Sequence, residues 1–470
     1  MKKKVLLSSV LTIALCLSLI AGSTFALFTS TDSFGIAVNA AKVKMTASVD
    51  ALQLYSVTPT DGGSITDEFG GTYEYAGPYT DKFINGGTAK FEGGVLTISK
   101  ITPGDKVTFN ITGANESNVA IKYRYIIECL GGYRLMDGLN VTVNGQSYTS
   151  LASYTSAWQT LESGSMTPVA VALELPVDAG NKYQEQSAQI KVVVEAVQGN
   201  ADVEVGTTPT VEYIAKATDA AGLEDALAAG ESEILLGANV TLANTLVVNS
   251  PVTIDLDGYT INSSAKKAIE LYADATIKGG TIVGANRCVD TRKALNLVLE
   301  DMTLIADNYT SAYGNPQPIT IGGSEDGTTV LMNNVKVSAK SGYGIIAFVK
   351  SDVTVVDSKF SGYNALYVKT GAEDSTFNFI NCDIVATTGD NDVVGNSFSA
   401  IAIQTDDVTV NVDAASSITA IGNYCYAVSL GWSEAPIVEG NVVNVECPVT
   451  GNKLDVDPSC AADNSVNFAQ

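Results

Sequence analysis

Apolar positions in the second half of the chain recur at a nearly constant spacing. The turn residues that anchor this pattern are Gly258, Gly279, Asp301, Asn334, Asp357 and Asn381, at spacings of 21, 22, 33, 23 and 24 residues. Two positions before these anchors lie Leu256, Ile277, Leu299, Met332, Val355 and Phe379, all apolar. The positions four before and three after each anchor are also apolar. Short strands that repeat in this way without helices predict a parallel β-helix, in which each coil buries its apolar face against the next.

A second short strand follows in each unit of this repeat. These strands begin at Ala268, Cys288, Pro318, Ile345, Ala365, Ala400 and Ala427. From Ile234 to Val445 the period predicts roughly eight or nine coils. Before the first coil, Asp219 and Gly230 bracket a short amphipathic segment with the residue types that begin and end helices. We therefore expect a right-handed parallel β-helix over 218–470 with a short N-terminal capping helix.

The first half of the chain has a different strand pattern, with short alternating strands separated by turns. The segment VAVALEL and the segment AQIKVVVEAVQ each place every second residue on one apolar face. Strands at this spacing without helical partners predict a β-sandwich or jelly roll over 28–200. Residues 201–217 have the composition of a connector, so the whole chain is predicted to be all-β with two domains.

The N-terminus carries an export signal in its pattern of charge and hydropathy. Three lysines after Met1 precede an apolar run that ends in small residues, which is typical of a secretory signal. The sequence predicts a signal peptide over 1–27, removed by a signal peptidase after Ala26 or Leu27. The mature protein is then expected to be secreted, in the extracellular matrix or on the cell surface.

Composition excludes several kinds of function. Acidic residues outnumber basic ones by 51 to 27, which gives a net charge of −24 and disfavours binding to nucleic acid. The chain has no histidine, so it lacks the commonest general base and the commonest zinc ligand. No metal or cofactor is expected from composition, apart from a candidate Ca²⁺ site described below.

Two stretches resemble known families. The start AGSTFALFTSTDSF resembles signals processed by the SipW-type peptidase, and residues 1–200 resemble the TasA/camelysin family of biofilm-matrix fibre proteins. The stretches that carry this second resemblance are Pro103–Asp105, Asn118–Tyr125 and Leu175–Gln198. It implies a structural domain that assembles with itself or with a fibre-forming homologue. The stretch GLEDALAAGESEILLGANVTL resembles the entry to pectate-lyase-like β-helices.

The repeat contains one weak candidate for a catalytic site. Asp290 and Arg292 lie in the stretch NRCVDTRK and share the outer face of a strand if Cys288 also points outward. Glu270 is expected one coil below Asp290. Two carboxylates and an arginine could hold Ca²⁺ and a sugar acid. A solvated cluster of ion pairs explains the same residues without any activity.

Two long insertions are expected at one corner of the β-helix, over 306–317 and 387–399. Loops on one side of a solenoid commonly form its binding surface. Tyr309 and Tyr313 in the first insertion are candidates for stacking on sugar rings, and Asp390 and Asp392 in the second are candidates for binding Ca²⁺. Ordinary acidic turns are the alternative for the aspartates.

These features together predict a secreted structural protein of the cell surface or biofilm matrix. Its first domain would assemble into fibres or dock on them, and its β-helix would serve as a spacer or an adhesive module that binds an extracellular polysaccharide. On this interpretation the protein is not an enzyme. The alternative is an exported polysaccharide lyase or another carbohydrate-active β-helix enzyme.

Overall fold

The structure is a computed structural model that describes residues 29–32, 43–306, 312–387, 398–422, 425–431, 437–456 and 463–469. It divides into two compact units, one up to Ile214 and one from Ala215 onward. In the described residues, no helix has the length and apolar character needed to cross a membrane.

The first unit contains two antiparallel sheets. One holds β1 (Thr29–Asp32), β5 (Thr88–Glu92), β6 (Val95–Ser99), β8 (Ile121–Gly131), β11 (Leu151–Thr155), β12 (Gln159–Leu161), β14 (Ser187–Gln198) and β15 (Thr210–Tyr213). The other holds β2 (Met45–Pro59), β3 (Ile65–Thr66), β4 (Thr72–Tyr79), β7 (Lys106–Asn115), β9 (Asn140–Val143), β10 (Gln146–Thr149) and β13 (Met166–Glu174). A short helix α1 (Tyr133–Gly138) and a 3₁₀ turn (Asn181–Tyr183) lie between strands.

Alternation along the strands explains why these sheets form a sandwich. Val169, Val171 and Leu173 on β13 are buried, and so are Ile190, Val192 and Val194 on β14, whereas several intervening residues are exposed or half-buried. A strand with one apolar face buries it against the facing sheet. The predicted sandwich is therefore confirmed. Within the predicted connector 201–217, β15 pairs with β11 and so joins the first unit.

Strand β14 has one edge that two short strands share. Its N-terminal part, from Ser187 to Lys191, pairs with β6. Its C-terminal part pairs with β1, in the register Thr29 with Val197 and Asp32 with Val194. The N-terminal strand thus closes an edge that would otherwise leave backbone hydrogen-bonding groups unpaired. Residues 33–42, which follow β1, lie outside the described residues.

The second unit opens with β16 (Lys216–Ala217) and helix α2 (Ala220–Ala229). The Asp219 carboxylate accepts a hydrogen bond from the Gly222 amide, and Gly230 ends the helix with φ of 77°. Leu223 on this helix is completely buried and belongs to the core of the coils. The predicted capping helix is therefore present, at the predicted position.

The coils themselves form three stacks of parallel strands. The first stack holds β17 (Glu233–Leu236), β20 (Val252–Asp255), β23 (Ala275–Gly284), β25 (Asn296–Ile305), β27 (Thr328–Ala347), β28 (Ser351–Val356), β30 (Thr376–Ile380), β33 (Thr409–Val412), β36 (Val442–Val445) and β39 (Ser465–Phe468). The second holds β18 (Val240–Leu242), β21 (Thr260–Ser263), β29 (Lys359–Val368), β31 (Asp383–Thr387), β34 (Ser417–Ile421) and β37 (Val449–Thr450), with later parts of β23, β25 and β27. The third holds β19 (Leu246–Val248), β22 (Lys267–Leu271), β24 (Arg287–Thr291), β26 (Ile319–Ile321), β32 (Phe398–Ile403), β35 (Cys425–Leu430) and β38 (Asn452–Val456), with the C-terminal ends of β27 and β29.

The predicted parallel β-helix is confirmed. Its register matches the sequence repeat from the coil that contains Ile277 onward. Ile277 pairs in turn with Leu299, and the column continues through Met332, Val355 and Phe379. In the coil below Ile277, the predicted register before the anchor Gly258 is wrong by two residues, because Ile254 rather than Leu256 lies below Ile277. The predicted register after the anchor is confirmed, because Ile261 lies below Ile282. Asp255 and Thr260 are separated by a longer turn than the corresponding residues Lys278 and Thr281 one coil above. The longer turn shifts the anchor glycine without changing the burial of the strand.

Candidate functional site

The outer face of the third stack, which we call the third-stack face, carries an ordered mixture of charged, polar and aromatic side chains. Its central row contains one residue from each of the first eight coils: Val247, Glu270, Asp290, Thr320, Ile346, Tyr367, Ala402 and Ser429. Parallel in-register pairing stacks these residues at the strand spacing of about 4.8 Å. The face is therefore a linear array in which neighbouring coils contribute neighbouring side chains.

A charge cluster occupies the early coils of this face. It consists of Lys267, Glu270, Arg287, Asp290 and Arg292. Asp290 Oδ2 accepts a hydrogen bond from Arg287 Nη1 at 2.8 Å and lies 3.0 Å from Lys267 Nζ. Glu270 Oε1 lies 2.5 Å from Lys267 Nζ and 3.0 Å from Arg292 Nε. Three cations thus surround two carboxylates, which leaves a local charge of plus one on a strongly acidic protein.

The coil register explains how the sequence builds this cluster. Lys267 and Glu270 are three residues apart on β22, and Arg287 and Asp290 have the same spacing on β24. Pairing of the two strands places Lys267 beside Arg287 and Glu270 beside Asp290. Each cation therefore reaches a carboxylate on its own coil, and Lys267 also reaches the carboxylate of the next coil.

The two carboxylates differ in their access to solvent. The Asp290 side chain is 0% exposed, whereas the Glu270 side chain is 15% exposed. Asp290 Oδ1 is buried without a hydrogen-bond partner, and Arg292 Nη1 lies 4.0 Å from it. Arg292, whose side chain is 36% exposed, is the most accessible member of the cluster. Asp290 consequently positions the basic side chains, and Glu270 and Arg292 face outward.

The middle coils of the same face are neutral and aromatic. Tyr367 in the central row contacts the ring of Tyr343, with ring centroids 4.8 Å apart. Its hydroxyl donates a hydrogen bond to Gln404 Oε1 at 2.6 Å, and burial raises the pKa of this hydroxyl. Phe348 packs at the edge of the small cluster that Ile346, Tyr367 and Ala402 form. Tyr367 is itself buried, whereas the Tyr343 and Phe348 rings beside it are half-buried. Half-buried rings beside amide groups are the kind of surface on which sugar rings stack and bond.

The structure brings together some of the predicted site residues. Asp290 and Arg292 lie on one outer face with Glu270, as the sequence pattern indicated. Cys288 does not point outward, since it is completely buried and its thiol lies within hydrogen-bonding distance of the Ile282 and Ile305 carbonyls. The prediction fails at Cys288 because the chain turns a corner there and the alternation of the strand begins only at Val289.

The remaining candidates lie in or near the two insertions. Tyr313 is half-buried and makes further interactions within the protein. Tyr309, Asp390 and Asp392 lie outside the described residues, as do Ala26 and Leu27 at the predicted cleavage site. Stacking on sugars by the tyrosines, Ca²⁺ binding by the aspartates and cleavage of a signal therefore stay predictions.

The charge cluster does not suit a divalent cation. Both of its carboxylates are already bonded to lysine or arginine, and the cluster carries a net positive charge. Calcium sites in proteins need several oxygen ligands with an excess of negative charge. Across the described ranges, no group of three or more histidine, cysteine, aspartate or glutamate side chains could hold a metal ion.

Sequence reasoning missed Lys267 and Arg287, although both are central to the cluster. The signal that could have found them is the repeated spacing of a cation three residues before a carboxylate in consecutive coils. It was missed because the sequence argument took strand alternation from Cys288 and so did not extend the outer face back to position 287.

Comparisons with known proteins give one structural likeness. No family model matches the chain, and no curated protein matches it. A solved structure that matches is the catalytic unit of a thermostable GH87 alpha-1,3-glucanase from Streptomyces thermodiastaticus strain HF3-3. The two chains are 11% identical, the match covers 91% of this chain and 95% of that chain, and the TM-score is 0.29.

The comparison corrects one prediction and leaves another untouched. The prediction that the protein is not an enzyme is wrong on this comparison, because the matching structure is a catalytic unit, and we withdraw it. At a TM-score of 0.29 the likeness does not assign a reaction to this chain. The resemblance of residues 1–200 to the TasA/camelysin family has no counterpart among these matches and stays a prediction from sequence.

Proposed function

We propose that the protein is an exported, carbohydrate-active β-helix protein that binds an extended glycan along the third-stack face and acts on it at the charge cluster. The observation that carries this proposal is the in-register row from Glu270 to Tyr367, along which Arg292, Tyr343 and Phe348 present half-buried side chains. An extended polymer matches a linear array of this kind better than a compact ligand does.

The chemistry of the two parts of the face supports a division of roles. The half-buried Tyr343 and Phe348 rings and the Gln404 amide in the middle coils offer stacking surfaces and hydrogen-bonding groups for neutral sugar units. Arg292 and Lys267 at the other end offer donors to hydroxyl or carboxylate oxygens of the polymer. Glu270 is the carboxylate placed to reach the glycan, since its side chain is 15% exposed and that of Asp290 is 0% exposed. We assign Asp290 as a positioning residue that holds Arg287 and Lys267 in place.

The proposal is tested by measuring binding to, and depolymerisation of, a panel of neutral and acidic polysaccharides. We expect Glu270→Gln to abolish depolymerisation while weakening binding by less than about tenfold, because the amide keeps the shape but loses the charge. Arg292→Met should weaken binding itself by about tenfold or more, because it removes a donor at the surface.

A matched control for these variants lies in the first stack. Asp255 is as buried as Asp290, lies 3.7 Å from Lys278 Nζ, and is not on the third-stack face. Asp255→Asn should therefore leave glycan binding and depolymerisation unchanged, whereas Asp290→Asn should reduce both. Equal effects of the two substitutions, or polysaccharide binding that none of the third-stack variants alters, would rule out this face as the site.

A second candidate function concerns the first unit, and the pairing of β1 favours it. We infer that β1 can leave its own sheet and pair with β14 of another copy or of a fibre-forming homologue. The strand covers only Val194–Val197 on β14 and is joined to the chain at its C-terminal side alone once the predicted signal is removed. Exchange of such a strand gives a head-to-tail contact that does not close, and so yields a filament. This assembly would retain the protein at the cell surface or in a matrix.

A further inference from the structure

A cavity of about 300 Å³ lies where helix α2 meets the first coils. We call it the cap pocket; it is lined by the C-terminal half of helix α2, by β19, by the turn that follows β19 and by the first residue of β20. Leu227, Leu246 and Val252 form its apolar part, and Glu224, Glu231 and Asn249 contribute polar groups. It is a half-open cleft of mixed apolar and polar lining, a concave surface of a size that a single sugar unit can enter.

The cap pocket is continuous with the third-stack face. Val247, which lines the pocket, is also the first residue of the central row and pairs with Glu270 one coil above. Tyr272 follows β22 and donates its backbone amide to the Val248 carbonyl, so it lies one coil above Asn249 of the pocket. The Tyr272 ring is exposed. A glycan on the third-stack face therefore runs past an exposed aromatic ring to the pocket at the end of the array.

The charge of the cap pocket is opposite to that of the charge cluster. Both charged residues among those lining the pocket are glutamates, Glu224 and Glu231, and neither makes an ion pair in the described part of the chain. Gly230, the residue that caps the C-terminus of helix α2, also lines the pocket. The C-terminal end of a helix carries a partial negative charge. Such a site accepts hydrogen bonds from hydroxyl or ammonium groups and disfavours a carboxylate.

We propose that the cap pocket binds the terminal sugar unit of the glycan and selects a unit that is neutral or carries an amino group. This inference rests on the proposed binding of a glycan along the third-stack face. It adds where the glycan terminates and which chemical class of sugar occupies that terminal position. A uronic acid is disfavoured in the pocket by the two glutamates and the helix C-terminus, although the charge cluster one coil away would accept it.

The experiment is a titration of the full-length protein with D-glucosamine, D-glucose and D-glucuronate as separate probes, followed by NMR. We expect glucosamine to bind about tenfold more tightly than glucuronate at low salt, with glucose between them, and the difference to shrink at high salt. Val247→Trp, which places a ring in the pocket, should abolish binding of all three. Ile421→Trp adds the same ring at an exposed residue on the second stack and should change nothing.

A double variant keeps the test decisive if Val247→Trp fails to fold. Glu224→Gln combined with Glu231→Gln alters two exposed side chains and should retain glucose binding while removing the preference for glucosamine. Glucuronate binding as tightly as glucosamine, or a preference that the double variant retains, would overturn the inference. The monosaccharide titrations test only the cap pocket, so a negative result there overturns this inference. The proposed function is tested separately, by the polysaccharide experiment with the Arg292 and Glu270 variants.

Discussion

The substitution Phe360→Asp tests the coil register that the sequence repeat predicted. Phe360 lies in the second stack between Val337 below and Ile384 above, and its side chain is 0% exposed. Its ring meets that of Phe379 edge to face, with centroids 6.1 Å apart and planes at 88°. An aspartate at this position would lose those contacts and place a carboxylate in the apolar interior of the coils.

The size of the effect follows from the complete burial of this residue. Truncation of a fully buried phenylalanine costs about 3–5 kcal/mol of unfolding free energy, and that figure includes the lost contact with Phe379. Burial of a carboxyl group without a hydrogen-bond partner adds about 2 kcal/mol or more, even when it takes up a proton. The sum is at least about 5 kcal/mol, which is comparable to the whole stability of many domains.

Urea denaturation followed by circular dichroism and by limited proteolysis measures this loss. We expect the β-helix of Phe360→Asp to unfold at much lower urea than in the wild type, or to be unfolded without urea, while the sandwich keeps its own transition. Ile421→Asp is the control, because Ile421 is 56% exposed on the second stack and should lose little stability. A melting curve for Phe360→Asp that matches the wild type would refute the assigned register.

Three further predictions concern other parts of the molecule. Burial raises the pKa of the Cys425 thiol from 9.0 to about 11, so as the pH rises the thiol ionises in the unfolded chain before it does in the folded protein. The free energy of unfolding should therefore be unaffected below pH 9 and fall between pH 9 and pH 11. Cys425→Ala should flatten that fall in urea titrations. Asn378, Asn411 and Asn444 form a ladder of side-chain hydrogen bonds, in which Asn411 donates to Asn378 Oδ1 and accepts from Asn444 Nδ2, both at 2.9 Å. Asn411→Ala should cost about 1–3 kcal/mol of unfolding free energy. An unchanged urea midpoint for this variant would contradict a stabilising role for the ladder. Deletion of residues 28–38 should leave both units folded but abolish filaments in electron micrographs, and filaments formed by the truncated protein would disprove strand exchange.

The sequence was most informative where one physical requirement repeats along the chain. Each coil must bury a column of apolar side chains against the next, so the register from Ile277 to Phe379 could be predicted from spacing alone. The strand before Gly258 was misplaced by two residues because the turn at Gly258 is longer than the turns above it. A turn residue marks where the chain turns without fixing how many residues the turn contains. Burial of Leu256 is unaffected by the shift, so the apolar pattern gave no warning of it.

The candidate site was only partly predictable, for reasons that lie at the corners of the coils. Glu270, Asp290 and Arg292 follow strand alternation and were placed together correctly. Lys267 and Arg287 lie just before the corner residues, where alternation does not yet hold, and their role depends on contacts between coils. The cap pocket could not be predicted, since it arises where helix α2 meets β19 and no repeated pattern marks that junction.

The most direct test of the proposed function is a crystal structure of the protein with an oligosaccharide from the polysaccharide that it binds best. The account predicts that the sugar chain lies along the central row of the third-stack face, with one unit beside Arg292 and Glu270 and others toward Tyr343 and Tyr367. An oligosaccharide bound to the sandwich, or to the outer face of the first or second stack, would contradict it.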